Sequence, residues 1–245
     1  MKKMKNLKNF LGGIFCLVVG CFVMVSCDKN DSVPDPLKAT VDVFVQDLKT
    51  DATVKYGVVI SVVANYEIKS AKVTGPGTGG KVYNLVATTN KKQFVLIPVV
   101  ADYTADLPAK GDYTFEVIST TDEKVTGKDA VGDEKLAHIS IKTAAITNHL
   151  LKTTWDKIQN ADAYIVNLYS ADKTVILYSS SAIASDKVEY EFGSATQGWA
   201  TGKSPVANTS YVVELVGVKY ETGVTSDKGN NIQFSTLDSK TIKWE

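Results

Sequence analysis

Apolar side chains in this chain recur at every second residue or run unbroken over the length of a strand, and nowhere do they keep the 3.6-residue period of a helix. That pattern restricts the fold to β-sheets packed face to face. Ala39-Thr-Val-Asp-Val-Phe-Val45 alternates and is rich in β-branched residues, whereas Val58-Val-Ile-Ser-Val-Val-Ala64 is apolar nearly throughout and suits a central strand. Ala71-Lys-Val-Thr74 leads into a glycine- and proline-rich turn over 75–80, with further strands expected at 81–86, 93–97, 112–118 and 137–141. A second set follows at 150–155, 162–169, 174–178, 188–192, 210–218 and 231–235. The expectation is an all-β protein built as two tandem antiparallel β-sandwiches, 38–144 and 145–245.

The second set is the more specific. Thr153-Thr-Trp155-Asp, then Asn160-Ala-Asp-Ala-Tyr164-Ile-Val, then Ser204-Pro-Val-Ala-Asn-Thr-Ser-Tyr211-Val-Val resembles the second, third and sixth strands of fibronectin type III domains, in order. The resemblance covers about 90 residues, 148–237, and implies that Trp155 is a core residue. It also implies that Tyr211 closes a corner by hydrogen-bonding back to the preceding loop. Val206 stands near the place where that family carries a leucine. A parallel stretch, Leu107-Pro-Ala-Lys-Gly-Asp-Tyr113-Thr-Phe-Glu-Val117, gives the first sandwich its own candidate corner at Tyr113. Both sandwiches are accordingly expected to be immunoglobulin-like, the second of the fibronectin type III kind. The joint around 143–148 is short and free of glycine and proline, so the two are expected to be fixed rather than hinged.

The N-terminus has a different character. Lys2, Lys3, Lys5 and Lys8 precede an apolar stretch, Phe10 to Val25, that closes on Ser26-Cys27. This is the layout of a secretory signal peptide, with an apolar run short of the ~20 residues a membrane-spanning helix needs. Val23-Met-Val-Ser-Cys27 resembles the lipobox of bacterial lipoproteins. The resemblance implies cleavage before Cys27 and acylation of that cysteine, hence a lipid-anchored protein of the outer membrane. Residues 28–37, polar and carrying Pro34 and Pro36, read as a flexible tether. Asp28 and Asp31 there resemble the export signal of surface lipoproteins of the Bacteroidota, which implies the cell surface rather than the periplasmic face; a plain solvated spacer is the alternative.

Removal of 1–26 leaves 23 cationic against 27 anionic side chains, a net charge of −4, with no arginine anywhere. A basic, arginine-bearing face of the kind that binds nucleic acid is therefore not expected. Cys16 and Cys21 leave with the signal peptide and Cys27 carries lipid, so disulfides and thiolate metal sites are excluded and no metal or cofactor is expected. His138 and His149 are too few for a histidine metal site, and no nucleophile elbow accompanies them; His138 reads as an outward or edge residue of the first sandwich's last strand. Asp122, Glu123, Asp129, Asp133 and Glu134, interleaved with lysines, read as a solvated loop, and Glu189 and Glu191 as a water-facing row on an edge strand.

Two tryptophans remain as candidate ligand residues. Trp199 lies in the glycine-flanked segment Gln197-Gly-Trp-Ala-Thr-Gly-Lys203, where its ring could stack on a sugar while Gln197 and Lys203 bind hydroxyls; Trp244 is the second platform. The competing reading makes both rings plugs of the core. Without a catalytic constellation, the chain is expected to be a non-enzymatic binding or spacer module, assisting glycan capture or pairing through sheet edges with a surface protein.

Overall fold

The computed structural model describes residues 35–50, 53–77, 79–224 and 230–245. The signal segment, Cys27 and most of the proposed tether lie outside the described residues. The strands are β1 (Ala39–Thr50), β2 (Thr53–Ala64), β3 (Ile68–Thr74), β4 (Val82–Asn84), β5 (Val86–Ala87), β6 (Gln93–Leu96), β7 (Gly111–Ser119) and β8 (Lys124–Val131). They continue with β9 (Ile141–Thr147), β10 (Leu150–Trp155), β11 (Ala163–Ser170), β12 (Ile176–Ser179), β13 (Ile183–Ala184), β14 (Glu189–Gly193), β15 (Ser210–Tyr220) and β16 (Ile232–Lys243). The protein is all-β, with no α-helix among the described residues.

The two halves repeat one plan. In the first, β1-β2-β6 faces the sheet β4-β3-β7-β8; in the second, β9-β10-β14 faces β12-β11-β15-β16. Each is an antiparallel β-sandwich, with three main strands against four and the two-residue β5 added beside β6 in the first. Their cores merge into a single apolar cluster that takes in Ile60 and Val117 of the first half and Leu151, Trp155, Leu168 and Phe234 of the second.

The halves do not stay separate. The last strand, β16, pairs in parallel with the first, β1, through Val45–Phe234 and Gln46–Ser235. One nine-stranded sheet, β12-β11-β15-β16-β1-β2-β6-β5 with β13 beside β11, therefore runs through the whole molecule. The physical reason is edge protection. β1 and β16 are each twelve residues long and would otherwise present long unpaired edges, and joining them covers the middle of both at once. The opposite face of this sheet is also buried, where Phe44, Val59, Ile165, Val216, Val218 and Leu237 cluster with Ile97, Ala182 and Val224 of the connections. Burial on both faces explains why β2, β11 and β15 read as continuous apolar runs.

Several sequence expectations need correction. Ala137–Ser140 is not a strand, because its main chain is used elsewhere: Ile139 N donates to Thr236 Oγ1 (2.9 Å) and Ile141 N to Asp238 Oδ2 (2.8 Å). Ile141–Thr147 opens the second sandwich rather than closing the first, pairing with β10 alone. The predicted strand 81–86 splits between two sheets as β4 and β5. The tether stops short of residue 37: Leu37 is buried, its N–H donates to Glu123 Oε2 (2.9 Å), and Pro36 O accepts from Asn65 Nδ2 (3.0 Å). Gly127 lies beneath the Phe115 ring opposite it, where a Cβ would meet the ring edge, so a larger residue here requires that ring to move.

Candidate functional site

The parallel ladder between β1 and β16 is short, and two aspartates of β1 complete it. Ile232 N donates to Asp42 Oδ1 (3.0 Å) at one end, and Leu237 N to Asp47 Oδ1 (3.2 Å) at the other. Asp47 is fully buried; its Oδ2 also accepts from Thr236 Oγ1 (2.8 Å) and lies 3.0 Å from His138 Nδ1. His138 is thus not an outward strand residue. It belongs to the linker between the halves and braces the carboxylate that holds them together. The arrangement resembles a catalytic His–Asp pair only in outline, since Asp47 is committed to the main chain of β16.

At the Asp42 end the seam is acidic. Carboxylate oxygens of Asp42, Asp129 and Glu221 lie within 4.8 Å of one another. Asp129 and Glu221 border a cleft of about 330 Å³ that also touches Gly132, Asp133, Glu134 and Gln233. Asp129 accepts from Val43 N (2.6 Å) and Ala130 N (2.8 Å). Burial holds the Asp129 carboxyl above the usual range, against the pull of those two N–H groups. The Glu221 carboxyl is raised too, by burial first and then by the charge of Asp129 and a hydrogen bond to it. These three residues are the ones that could hold a hard cation, although three oxygens fall well short of the 6–8 that Ca²⁺ takes. A single proton held between Asp129 and Glu221, which hydrogen-bond to each other, halves the charge of the pair without one.

Raised carboxylate values give a pH dependence of definite sign. The folded state binds more protons than the unfolded state between the ordinary and the raised values, so stability rises as pH falls through that window. Glu214, pushed up by burial, acts in the same direction. Below it the trend reverses, because Glu116 and Asp172 are held low, Glu116 by hydrogen bonds from Lys124 and Lys72 and Asp172 by Ser170 and Thr174. Thermal melts should therefore peak in mildly acid buffer, and Glu221→Gln should flatten the acid side of that rise; a melting temperature that climbs steadily towards neutral pH would contradict this assignment.

Corrections follow for the acidic loop. Residues 124–131 form β8, so Asp122, Glu123, Asp129, Asp133 and Glu134 are spread along a hairpin and its ends. Two of them are paired separately: Asp122 with Lys69 (2.5 Å), Asp133 with Lys110 (2.9 Å). Glu189 and Glu191 are exposed on the edge strand β14, Glu189 pairing with Lys152 (2.9 Å). His149 occupies a two-residue hairpin with Asn148, both at positive φ (62° and 53°), and its Nδ1 lies 3.0 Å from Glu245 O.

The aromatic candidates are brought together, but inside. Trp244 is 4% exposed and packs against Phe192, Trp199 and Tyr211, with ring centres 6.2–6.3 Å away. Trp199 is half-buried; its Nε1 donates to Gly193 O (3.0 Å) and its ring meets Tyr178 edge-on at 5.2 Å. The main chain around it bridges to the edge of β12, with Ser179 N donating to Gly198 O and Ala200 N to Leu177 O. This aromatic cluster plugs one end of the second sandwich, the arrangement expected of the competing core-plug reading of Trp199 and Trp244. Gln197 and Lys203 remain exposed, without an open ring beside them.

The corner residues behave locally. Tyr211 Oη accepts from Val206 N (2.9 Å), and Tyr113 Oη donates to Ala109 O (2.8 Å). Burial, with Tyr83 nearby, pushes the Tyr113 hydroxyl up to about 12. Trp155 is buried against Tyr164, ring centres 5.2 Å apart. Tyr211→Phe should cost about 1 kcal/mol, the worth of one such bond, as read from a chemical melt.

One buried group escaped sequence reasoning. Glu214 is fully buried on β15 opposite Asn167, whose Nδ2 donates to it (3.3 Å), as do Tyr169 Oη (3.3 Å) and Lys173 Nζ (3.4 Å). The signal was present as a lone acid in Tyr-Val-Val-Glu-Leu-Val and a lone amide in Tyr-Ile-Val-Asn-Leu-Tyr.

No protein-family model and no curated protein matches the chain. Among solved structures it is similar to a segment of two fibronectin type III domains from chicken tenascin, at 16% identity and a TM-score of 0.29, over 82% of this chain and 97% of that one. The FN1–FN3 domains of chicken CNTN1 give 10% identity and 0.29, over 83% of this chain and 66% of that one. Dimeric latent PorU from Porphyromonas gingivalis gives 10% and 0.30, over 85% of this chain and 20% of that one. Likenesses this distant carry no argument; the fold rests on the strand pairing itself.

Proposed function

We propose that the chain is a lipid-anchored, non-enzymatic module of the outer membrane, presented at the cell surface, that binds or spaces rather than turns over a substrate. The observation that carries the reading is the order of features along the chain: a basic and apolar leader, Ser26-Cys27, a short polar segment, and a folded body entered at Leu37. Acyl chains contribute ~0.8 kcal/mol per buried methylene, and two or more hold a protein stably. A body whose halves share one sheet suits presentation at a fixed distance from the membrane. The most conspicuous acid–base pair, His138 with Asp47, serves as a brace in that body.

Radiolabelled palmitate should enter the full chain in bacterial cells, and Cys27→Ser should abolish the label and release the protein from membranes. Equal labelling of both would end the reading. Glycan capture, with Trp199 and Trp244 spent on packing, would have to use other residues; a glycan array probed with the full chain tests it. A second reading, pairing with a protein through a sheet edge, is favoured by the open edge of the first sandwich.

A further inference from the structure

The first sandwich is open beside β4. Gly75 N donates to Lys81 O (2.8 Å) and Leu85 N to Ala71 O (3.2 Å), which sets the β3–β4 ladder so that Lys81, Tyr83 and Leu85 direct their main-chain polar groups to β3. By antiparallel alternation those of Val82 and Asn84 point away from it, and β4 is the last strand of its sheet. Beyond it lies a cleft of about 400 Å³, bounded by 81–84 on one side and by Tyr56, Val58, Leu96, Pro98 and Pro108 on the other. Tyr83 shares the interior face with Val73, opposite it in the ladder and fully buried.

Three further observations say what fits there. The segments around the cleft carry Val82, Val86, Val99 and Leu107, 44–66% exposed, four of the nine large apolar side chains left exposed among the described residues. Lys81 Nζ sits 4.9 Å from the centre of the Tyr83 ring, while Asp102, the one carboxylate lining the cleft, accepts from Val99 N (3.0 Å). Lys135 Nζ lies 4.6 Å from the centre of the Tyr56 ring. Each tyrosine therefore already carries an ammonium over its ring, which disfavours the stacking a sugar requires. An extended main chain, by contrast, matches donors and acceptors that project at alternate residues.

We propose that this edge binds an extended peptide segment of a protein partner, which adds to β4 as a further strand, sets alternate apolar side chains into the cleft and places a carboxylate against Lys81. The proposal rests on the sheet-edge reading above and names its edge and its ligand class. The partner's backbone supplies specificity for extended conformation, the cleft for side-chain size, and Lys81 for charge.

The test uses the full chain in detergent micelles and two fluorescein-labelled hexapeptides, Glu-Val-Thr-Val-Thr-Val and Lys-Val-Thr-Val-Thr-Val, followed by anisotropy. Saturable binding is expected for the glutamate peptide, weaker binding for the lysine one. Val82→Pro removes an outward N–H while sparing the β3 ladder, and should weaken binding at least tenfold with an unchanged melt. Lys81→Glu should reverse the preference between the peptides. Glu191→Pro, on the edge strand β14 of the other sandwich, should change nothing. Loss of binding in Glu191→Pro but not in Val82→Pro overturns the assignment to β4 while leaving sheet-edge pairing intact. Absence of saturable binding for both peptides overturns both. Concentration-dependent self-association that Val82→Pro abolishes, without peptide binding, assigns the edge to a second copy and overturns the proposal.

Discussion

Asp47→Ala is expected to destabilise the protein by about 3–5 kcal/mol, the range for removing one partner from a buried charged network. The side chain is fully buried and accepts from Leu237 N and Thr236 Oγ1 while facing His138 Nδ1. Alanine leaves the N–H and hydroxyl without an acceptor inside the seam, and each such orphan costs about 1–3 kcal/mol. For a body of this size the melting temperature should drop by roughly 10 °C. Asp47→Asn, which keeps one acceptor oxygen for Leu237 N, should lose distinctly less. Urea melts of the two variants check the order. An alanine variant as stable as the parent would mean that the seam does not depend on this carboxylate.

Trp244→Ala should cost about 3–5 kcal/mol as well, the usual penalty for truncating a buried aromatic. Its ring touches Phe192, Trp199 and Tyr211, and its main chain is tied to 208 and 209 by Asn208 N→Trp244 O (2.7 Å) and Trp244 N→Thr209 O (2.9 Å). Truncation therefore opens a cavity where the last strand closes the second sandwich. Trp199→Ala, at a half-buried position, should cost less. Near-ultraviolet circular dichroism together with a thermal melt separates a core plug from a sugar platform. A Trp244→Ala protein that melts like the parent yet loses binding on a glycan array would favour the platform.

What sequence reading could reach was local. Tyr113 and Tyr211 each sit a few residues behind the loop they bond to, so the corner is written within a short window. Strand positions follow from alternation for the same reason. The β1–β16 pairing is different in kind: its partners are 189 residues apart, they run parallel, and no turn connects them. Nothing in either strand announces the other. Asp42 and Asp47, five residues apart and so on opposite faces of an alternating strand, consequently carry no sequence signal of a common task, yet both serve as acceptors for β16. His138 is misread for the same reason, since its partner lies on β1 and its neighbours bond to β16. Trp199 and Trp244 show a further limit: the glycines flanking Trp199 suggest a loop, but whether either ring faces water or core depends on strands far away in the chain. The β4 cleft was equally hidden, because it exists only where two sheets part.

The shared sheet makes one body of the two sandwiches, and differential scanning calorimetry of the full chain puts that to the test. A single transition whose calorimetric and van't Hoff enthalpies agree is expected. Two resolved transitions, or a calorimetric enthalpy close to twice the van't Hoff value, would show that the halves melt independently and that the β1–β16 seam does not unite them.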